Sequence, residues 1–227
     1  MYNRARIVRG WWGSLDNFDG KYKKQIESND TKIVQDVYVY GETNFHVIQN
    51  LGFKPKLMSV FEHDFRLASN HTFWDHRSLL HKLKILQKSL QHSEEVLFLD
   101  WDMSFNRELD QTFYDSFHNS EFQVPLYEDS YVIPNTGFIY CNDIKIADEL
   151  MKIALKERLT TVPDELAVLF YMKKLGYTIE DYINNIEPSV ISGKDCGNDT
   201  WNAKGKLLEN YIETVKGQKK DIYLEHL

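Results

Sequence analysis

The 227 residues are 42% hydrophobic and 14% aromatic. That is enough for one packed domain over residues 1–227, and it excludes a disordered or fibrous chain. Lys plus Arg number 27 and Asp plus Glu 34, so the formal charge is −7. That balance argues against a nucleic-acid binder, whose contact face is basic, but leaves room for an anionic ligand held by a metal or a few local cations.

Met1 to Gly10 carries basic residues without an apolar stretch, so it does not read as a signal peptide. No run approaches the roughly 18 apolar residues that a membrane span requires. Cys141 and Cys196 are too few for a disulfide framework, and no Cys-x-x-Cys pair is present. A reducing, cytoplasmic setting is expected, for the chain itself or for a larger protein of which it is a piece. The clusters Lys21-Tyr22-Lys23-Lys24 and Lys219-Lys220 read as solvated surface.

Taken in order, Ile7-Val8 predicts a short strand running into a Gly-flanked turn, Arg9-Gly10-Trp11-Trp12-Gly13. Val37 to Tyr40 is β-branched and aromatic and stops at Gly41, which predicts a second strand. Thr43 to Leu51 has Phe45, Ile48 and Leu51 on one helical face, with Gly52 placed to end it. Leu57 to Phe61 is a third strand candidate. From Asp75 to Leu90, Leu79, Leu80, Leu83, Leu86 and Leu90 form an amphipathic stripe.

Val96 to Leu99 follows as a buried strand, with Val124–Leu126 and Gly137–Cys141 as further strands. Ile144, Ala147, Met151, Ala154 and Leu155 mark a helix capped by Asn142 or Asp143. Leu166 to Leu175 marks another, closed by Gly176. Strands alternating with helices predict an α/β domain with a mixed, mostly parallel central sheet flanked by helices. Ligands of such sheets bind beyond the carboxyl ends of the strands.

Asp100 and Asp102 stand at such an end. Continued extended geometry would put Phe98, Asp100 and Asp102 on one face and Leu99 and Trp101 on the other. Two adjacent carboxylates repel, and a hard divalent cation relieves that repulsion through oxygen ligands and substrate phosphates. The plain alternative is a pair of ordinary acids at the start of a loop.

The motif order resembles the GT-A fold glycosyltransferases that use nucleotide sugars, those of the glycogenin and galactosyltransferase type. The resemblance spans about residues 5–208. It rests on the N-terminal strand and turn, Lys82, Asp100-Trp101-Asp102, Pro134-Asn135-Thr136-Gly137-Phe138, Pro163-Asp164-Glu165-Leu166 and Trp201-Asn202-Ala203-Lys204-Gly205-Lys206. The compact size is similar to that of glycosyltransferase domains of large DNA viruses and phages.

The resemblance implies transfer of a sugar from a nucleotide-diphosphate sugar, with UDP as the first choice, to a hydroxyl on a glycan or protein-linked glycan. It implies Mn²⁺ or Mg²⁺ bound directly by Asp102, with Asp100 binding it too or reaching both it and the ribose. Gly10, Trp11, Trp12 and Trp101 would border the nucleotide. Lys82 would face the diphosphate or sugar, and Asn135 the sugar. Asp164 or Glu165 would sit by the reacting carbon, and Lys204, Gly205 and Lys206 would close over the diphosphate. Related enzymes often carry a C-terminal histidine as a third metal ligand, where this chain has Asn202 or Ala203.

Several residues also have an ordinary structural reading. Asp164 and Glu165 open a helix, and Thr161-x-x-Asp164 fits a capping box, a role compatible with catalysis. Lys82 reads equally as a surface lysine, and Asn135 as a turn former after Pro134. Of Trp11 and Trp12, one is expected in the core and one against a ligand. His71, His76 and His81 lack the i, i+4 spacing of a helical zinc site, and Cys141 reads as a small core residue.

A haloacid-dehalogenase-type phosphatase also uses an apolar strand followed by Asp-x-Asp, with Asp100 as nucleophile. That motif normally opens its domain, whereas here 99 residues precede it. A nucleotidyltransferase and a non-catalytic sugar-nucleotide-binding relative complete the alternatives.

Overall fold

The computed structural model describes residues 5–11, 35–58, 80–101, 103–105, 109–115, 120–127, 130–156, 163–176, 186–188, 191–193, 199–202 and 224–226. Strands β1 (Arg6–Trp11), β2 (Gln35–Tyr40), β3 (Pro55–Met58) and β4 (Val96–Leu99) form the first part of the main sheet. Beyond them come β6 (Phe122–Tyr127), β7 (Ser130–Pro134), β8 (Phe138–Cys141), β9 (Ile186–Pro188) and β11 (Asp199–Asn202). The strand order is β3-β2-β1-β4-β8-β6-β11-β9, with β7 also paired to β6. The first four strands pair in parallel, and every pairing from β4–β8 onward is antiparallel.

A second sheet joins β5 (Met103–Phe105), β10 (Ile191–Gly193) and β12 (Leu224–His226) in the order β10-β12-β5. Its register sets His226 opposite Met103. The C-terminal residues thus return to the strand that directly follows the acidic pair.

Helix α1 (Glu42–Asn50) links β2 to β3. It ends at Leu51, and Gly52 takes the positive φ, 93°, that lets the chain turn away. Helix α2 (Leu80–Leu90) precedes β4 and buries Leu80, Leu83, Leu86 and Leu90 of the stripe expected from spacing, while Leu79 and the expected start at Asp75 lie outside the described residues. Each such buried leucine stabilises the fold by roughly 1.5–3 kcal/mol. A short helix α3 (Gln111–Asp115) follows β5. Helix α4 (Ile144–Lys156) is capped by Asp143, whose Oδ1 accepts from Lys145 N–H at 2.9 Å. Helix α5 (Pro163–Lys174) starts on a proline, which needs no N–H partner in the first turn.

The sheet has a core on each face. Val8, Val96, Phe98, Ile139 and Cys141 point towards α2, α4 and α5. Ile7, Leu97, Leu99, Phe138 and Tyr140 point to the other side, against Met103, Leu109 and Phe113. Both sides of β4 are therefore sealed, and its four residues have no exposed surface. Among the described residues, no helix is long and apolar enough to cross a membrane.

One sequence expectation shifts. The stretch expected as a turn after Val8 remains strand through Trp11, because Arg9, Gly10 and Trp11 continue the parallel ladder with β2. The extended geometry of β4 ends at Leu99. Met103 N–H donates to Asp100 O at 3.1 Å, which closes a turn over Asp100–Met103. Asp102 lies outside the described residues, so the expected alternation is followed only as far as Asp100.

Candidate active site

β4 delivers Asp100 to the edge of the sheet beyond its carboxyl end, and the antiparallel neighbour β8 begins beside it. Asp100 N–H donates to Gly137 O at 2.8 Å. The approach is close: a Cβ on Gly137 would lie 2.9 Å from Asn135 Oδ1 and 3.5 Å from Asp100 Oδ2. Asn135 Oδ1 accepts from Gly137 N–H at 2.8 Å, an Asx-type turn that meets the turn-former reading of Asn135.

Asp100 lies on the Phe98 side of β4, as alternation predicts, and there it meets Lys82 of α2. Lys82 Nζ is 2.9 Å from Asp100 Oδ2 and 3.1 Å from Asp164 Oδ2. It also donates to Thr136 O at 3.1 Å and is 3.3 Å from Thr136 Oγ1. Thr136 Oγ1 in turn donates to Asp164 Oδ2 at 2.6 Å.

Three elements thus converge on one ammonium: the end of β4, the turn before β8 and the first turn of α5. The Lys82 side chain is 3% exposed and that of Asp164 2%, whereas Asp100 keeps 30% of its side chain exposed. Burial alone would push the Lys82 pKa down. The carboxylates of Asp100 and Asp164 outweigh that and hold it above the usual lysine range.

With two carboxylates and one ammonium, the cluster carries one net negative charge. Lys82 has three N–H donors and already has four protein oxygens within 3.3 Å. It is therefore not the surface lysine of the plain reading, and it acts by ordering the two acids. Asp164 Oδ1 is buried with no hydrogen-bond partner among the described residues. A buried carboxylate oxygen in that state is an acceptor waiting for a donor. Glu165 follows half-buried, but the acid that reaches Lys82 from α5 is Asp164.

Trp101 departs from the expectation of a donor contact. Its ring is 3% exposed and belongs to the core beside Trp11, Val37, Val39, Ile48 and Phe53. Its indole N–H donates to Gly10 O at 2.8 Å, and Phe53 meets it edge-on at 5.6 Å. Trp11, 2% exposed, stands 6.4 Å from Trp101. Trp11 is thus the core member of the tryptophan pair, and neither ring is open to stack on a base. Gly10 takes part through its carbonyl.

His81, next to Lys82, stacks on Tyr40 with ring centroids 3.9 Å apart. Burial lowers its pKa to about 4, so it is a neutral core histidine. Cys141 is likewise a core residue, its thiol pushed up to about 12 by burial. Trp12, Asp102, Thr161, Lys204, Gly205, Lys206, His71 and His76 lie outside the described residues.

The donor chemistry at Asp100 fits a hard cation: a part-exposed carboxylate whose other surroundings are already anchored. Among the described residues, no three His, Cys, Asp or Glu side chains gather as a full ligand set. Substrate phosphates and Asp102 would have to supply the remainder.

Sequence reading missed Arg9 and the bridging role of Thr136. Arg9 has no exposed surface, and its guanidinium binds the main chain of the acidic turn. The available signal was a lone arginine inside an apolar strand run, where unpaired charge is rarely tolerated.

No protein-family model matches the chain, and no curated protein does. Solved structures do share its fold. The apo form of mouse xyloside xylosyltransferase 1 superposes with a TM-score of 0.51 at 9% identity, covering 98% of this chain and 97% of that one. The apo bifunctional glycosyltransferase WbbM gives 0.50 at 10% identity, covering all of this chain and 46% of that one.

Proposed function

We propose, on the premise that this chain has the GT-A glycosyltransferase fold, that it is a glycosyltransferase. It takes a sugar from a nucleotide-diphosphate donor, UDP-linked first, and passes it to a hydroxyl of a glycan or protein-linked glycan. The observation that carries this reading is the Lys82–Asp100–Asp164 cluster beyond the carboxyl end of β4. Fold alone does not dictate function; a buried, charged cluster at the ligand edge of this fold supports it.

In the reaction the bond from the anomeric carbon to the diphosphate oxygen breaks, and its electron pair leaves with the diphosphate. The acceptor oxygen bonds to the same carbon, and its proton passes to a base at the site, a carboxylate or the departing diphosphate. A divalent cation on Asp100 and Asp102, Mn²⁺ or Mg²⁺, would stabilise charge on the departing diphosphate.

This chain's residues do the rest. Lys82 fixes the Asp100 carboxylate towards the donor side and holds Asp164 in line with it. Asp164 Oδ1 offers a buried acceptor to a sugar hydroxyl, which orients the ring. Thr136 keeps the opposite oxygen of Asp164 occupied, so that only Oδ1 faces the sugar. Lys204, Gly205 and Lys206 would cover the diphosphate. Nothing in the fold favours the haloacid-dehalogenase reading of Asp100.

The test is a thermal-shift screen of UDP-, GDP- and CDP-sugars with and without Mn²⁺. A donor that binds the folded state raises the melting temperature by mass action. One nucleotide class should stand out, and only with the metal. Asp102→Asn should then abolish Mn²⁺-dependent hydrolysis of that donor while leaving the melting temperature of the free protein unchanged. Full activity in that variant would refute the metal assignment, and a screen with no responding nucleotide would refute the donor.

A further inference from the structure

Arg9 is the one charged side chain of β1 with no exposed surface, and the transfer chemistry gives it no direct part. Its guanidinium donates from Nη1 to Asp100 O, from Nη2 to Met103 O at 2.8 Å and from Nε to Gln35 Oε1 at 2.6 Å. The rings of Trp101 and Phe105 each lie 5.4 Å from Cζ.

The two carbonyls are the first and last of the turn that Met103 N–H closes onto Asp100 O. Asp102 lies in sequence between the two clamped residues. A planar fork suits such a clamp, because it reaches two carbonyls with separate N–H groups while a third orients the plane. A lysine in the same place could satisfy one carbonyl well, but not both in fixed relation. Burying a guanidinium is costly unless its donors are met, and here two arms are met by the backbone of one functional turn and the third by Gln35.

We infer that Arg9 is a positioning residue for the metal and donor diphosphate. It fixes both ends of the Asp100–Met103 turn, so that Asp100 is presented in one geometry before anything binds. The inference rests on the donor site proposed above. Ligand groups held in place by their own supporting shell bind more tightly, because less freedom is lost on binding. Partners that orient metal ligands affect metal affinity by about 10–100-fold.

The experiment is a titration of the full chain with Mn²⁺ in the presence of UDP, free Mn²⁺ being counted by its electron paramagnetic resonance signal. Arg9→Lys should raise the Mn²⁺ dissociation constant by about tenfold or more with an unchanged circular dichroism spectrum. Gln35→Leu, which frees only the Nε arm, should give a smaller rise of roughly two- to fivefold. In turnover, the Mn²⁺ half-saturation should rise in the same order.

A purely structural arginine would lower the melting temperature of the variants and leave the Mn²⁺ affinity of the folded protein as it was. That result, in Arg9→Lys or, should it not fold, in Gln35→Leu, overturns the inference. Wild-type protein that binds no Mn²⁺ with UDP overturns the donor-site reading and this inference together. Wild-type binding that is equally strong in the folded variants overturns the role of Arg9 alone.

Discussion

Two buried cations flank the acidic turn, and they hold it by different means. On the helix side, Lys82 meets carboxylates, Asp100 and Asp164, with Thr136 bridging. On the strand side, Arg9 meets carbonyls and a side-chain amide, with Trp101 and Phe105 stacked about it. The helix side therefore sets the charge of the site. The strand side sets the path of the chain. Loss of a group on the helix side should cost most, because it strands a buried charge. Loss on the strand side should cost less in stability and more in geometry.

The largest effect is expected from Lys82→Met. Removing one partner from a buried ion pair leaves the other uncompensated, which costs about 3–5 kcal/mol. Denaturant unfolding should show a drop of that size. In the Lys82→Met/Asp164→Asn double variant the total loss should fall short of the sum of the singles, since the stranded charge is gone. Additive losses would mean that the two side chains are not coupled through this contact.

This contrast also explains what could be read from the sequence. The stripe of α2, the end of α1 at Gly52 and the apolar run of β4 follow from spacing and local chemistry, and the structure has them. Asp100 and Asp164 could be singled out because charged residues at strand ends and helix starts carry a pattern, whereas Lys82 could be picked out only by the resemblance. That Thr136 bridges them could not be read, since it depends on α5 docking against the turn before β8 from 28 residues away. β5 and β12 escaped for a similar reason. They are three residues each and exist by pairing across more than a hundred positions. β4 ends at Leu99, where its apolar run ends, and the Asp100–Met103 hydrogen bond that follows depends on the chain turning rather than on any pattern in the run. The resemblance puts Trp101 beside the nucleotide, whereas its ring is buried against Phe53 and Trp11.

The helix side also predicts a pH response. His81 has its pKa lowered to about 4 by burial, against an ordinary value of 6.5. The unfolded chain therefore takes up a proton between those values while the folded chain does not. Stability is fully present above about pH 6.5 and falls as the pH drops towards 4, by about 3 kcal/mol at most from this residue. His81→Phe, which keeps a ring against Tyr40, should flatten that part of the stability–pH curve. An unchanged slope would show that His81 is already charged in the folded protein or that other groups dominate.

Where the two sides meet, Gly137 leaves no room for a side chain. Gly137→Ala would bring its Cβ within 2.9 Å of Asn135 Oδ1 and 3.5 Å of Asp100 Oδ2. The Asn135 amide must swing aside and give up the bond it accepts from Gly137 N–H, at a cost of about 1–3 kcal/mol. Because the displaced atoms belong to the site, donor binding should weaken along with stability. A variant of normal stability and normal donor affinity would show that the turn before β8 is more pliant than its hydrogen bonds imply.

The smallest effect in stability belongs to the strand side. Trp101→Phe keeps an aromatic ring among Trp11, Phe53 and the Arg9 guanidinium but removes the indole N–H that meets Gly10 O at 2.8 Å. Loss of one such bond costs about 1 kcal/mol, somewhat more when the carbonyl is left buried. Thermal unfolding should show that modest loss. If the strand side governs geometry, Mn²⁺ affinity in the presence of UDP should fall by more than the stability change alone would suggest, because β1 no longer anchors the residue between the two acids. Equal affinity in wild type and Trp101→Phe would place the whole burden of positioning on Arg9, and would separate the two fastenings of the turn.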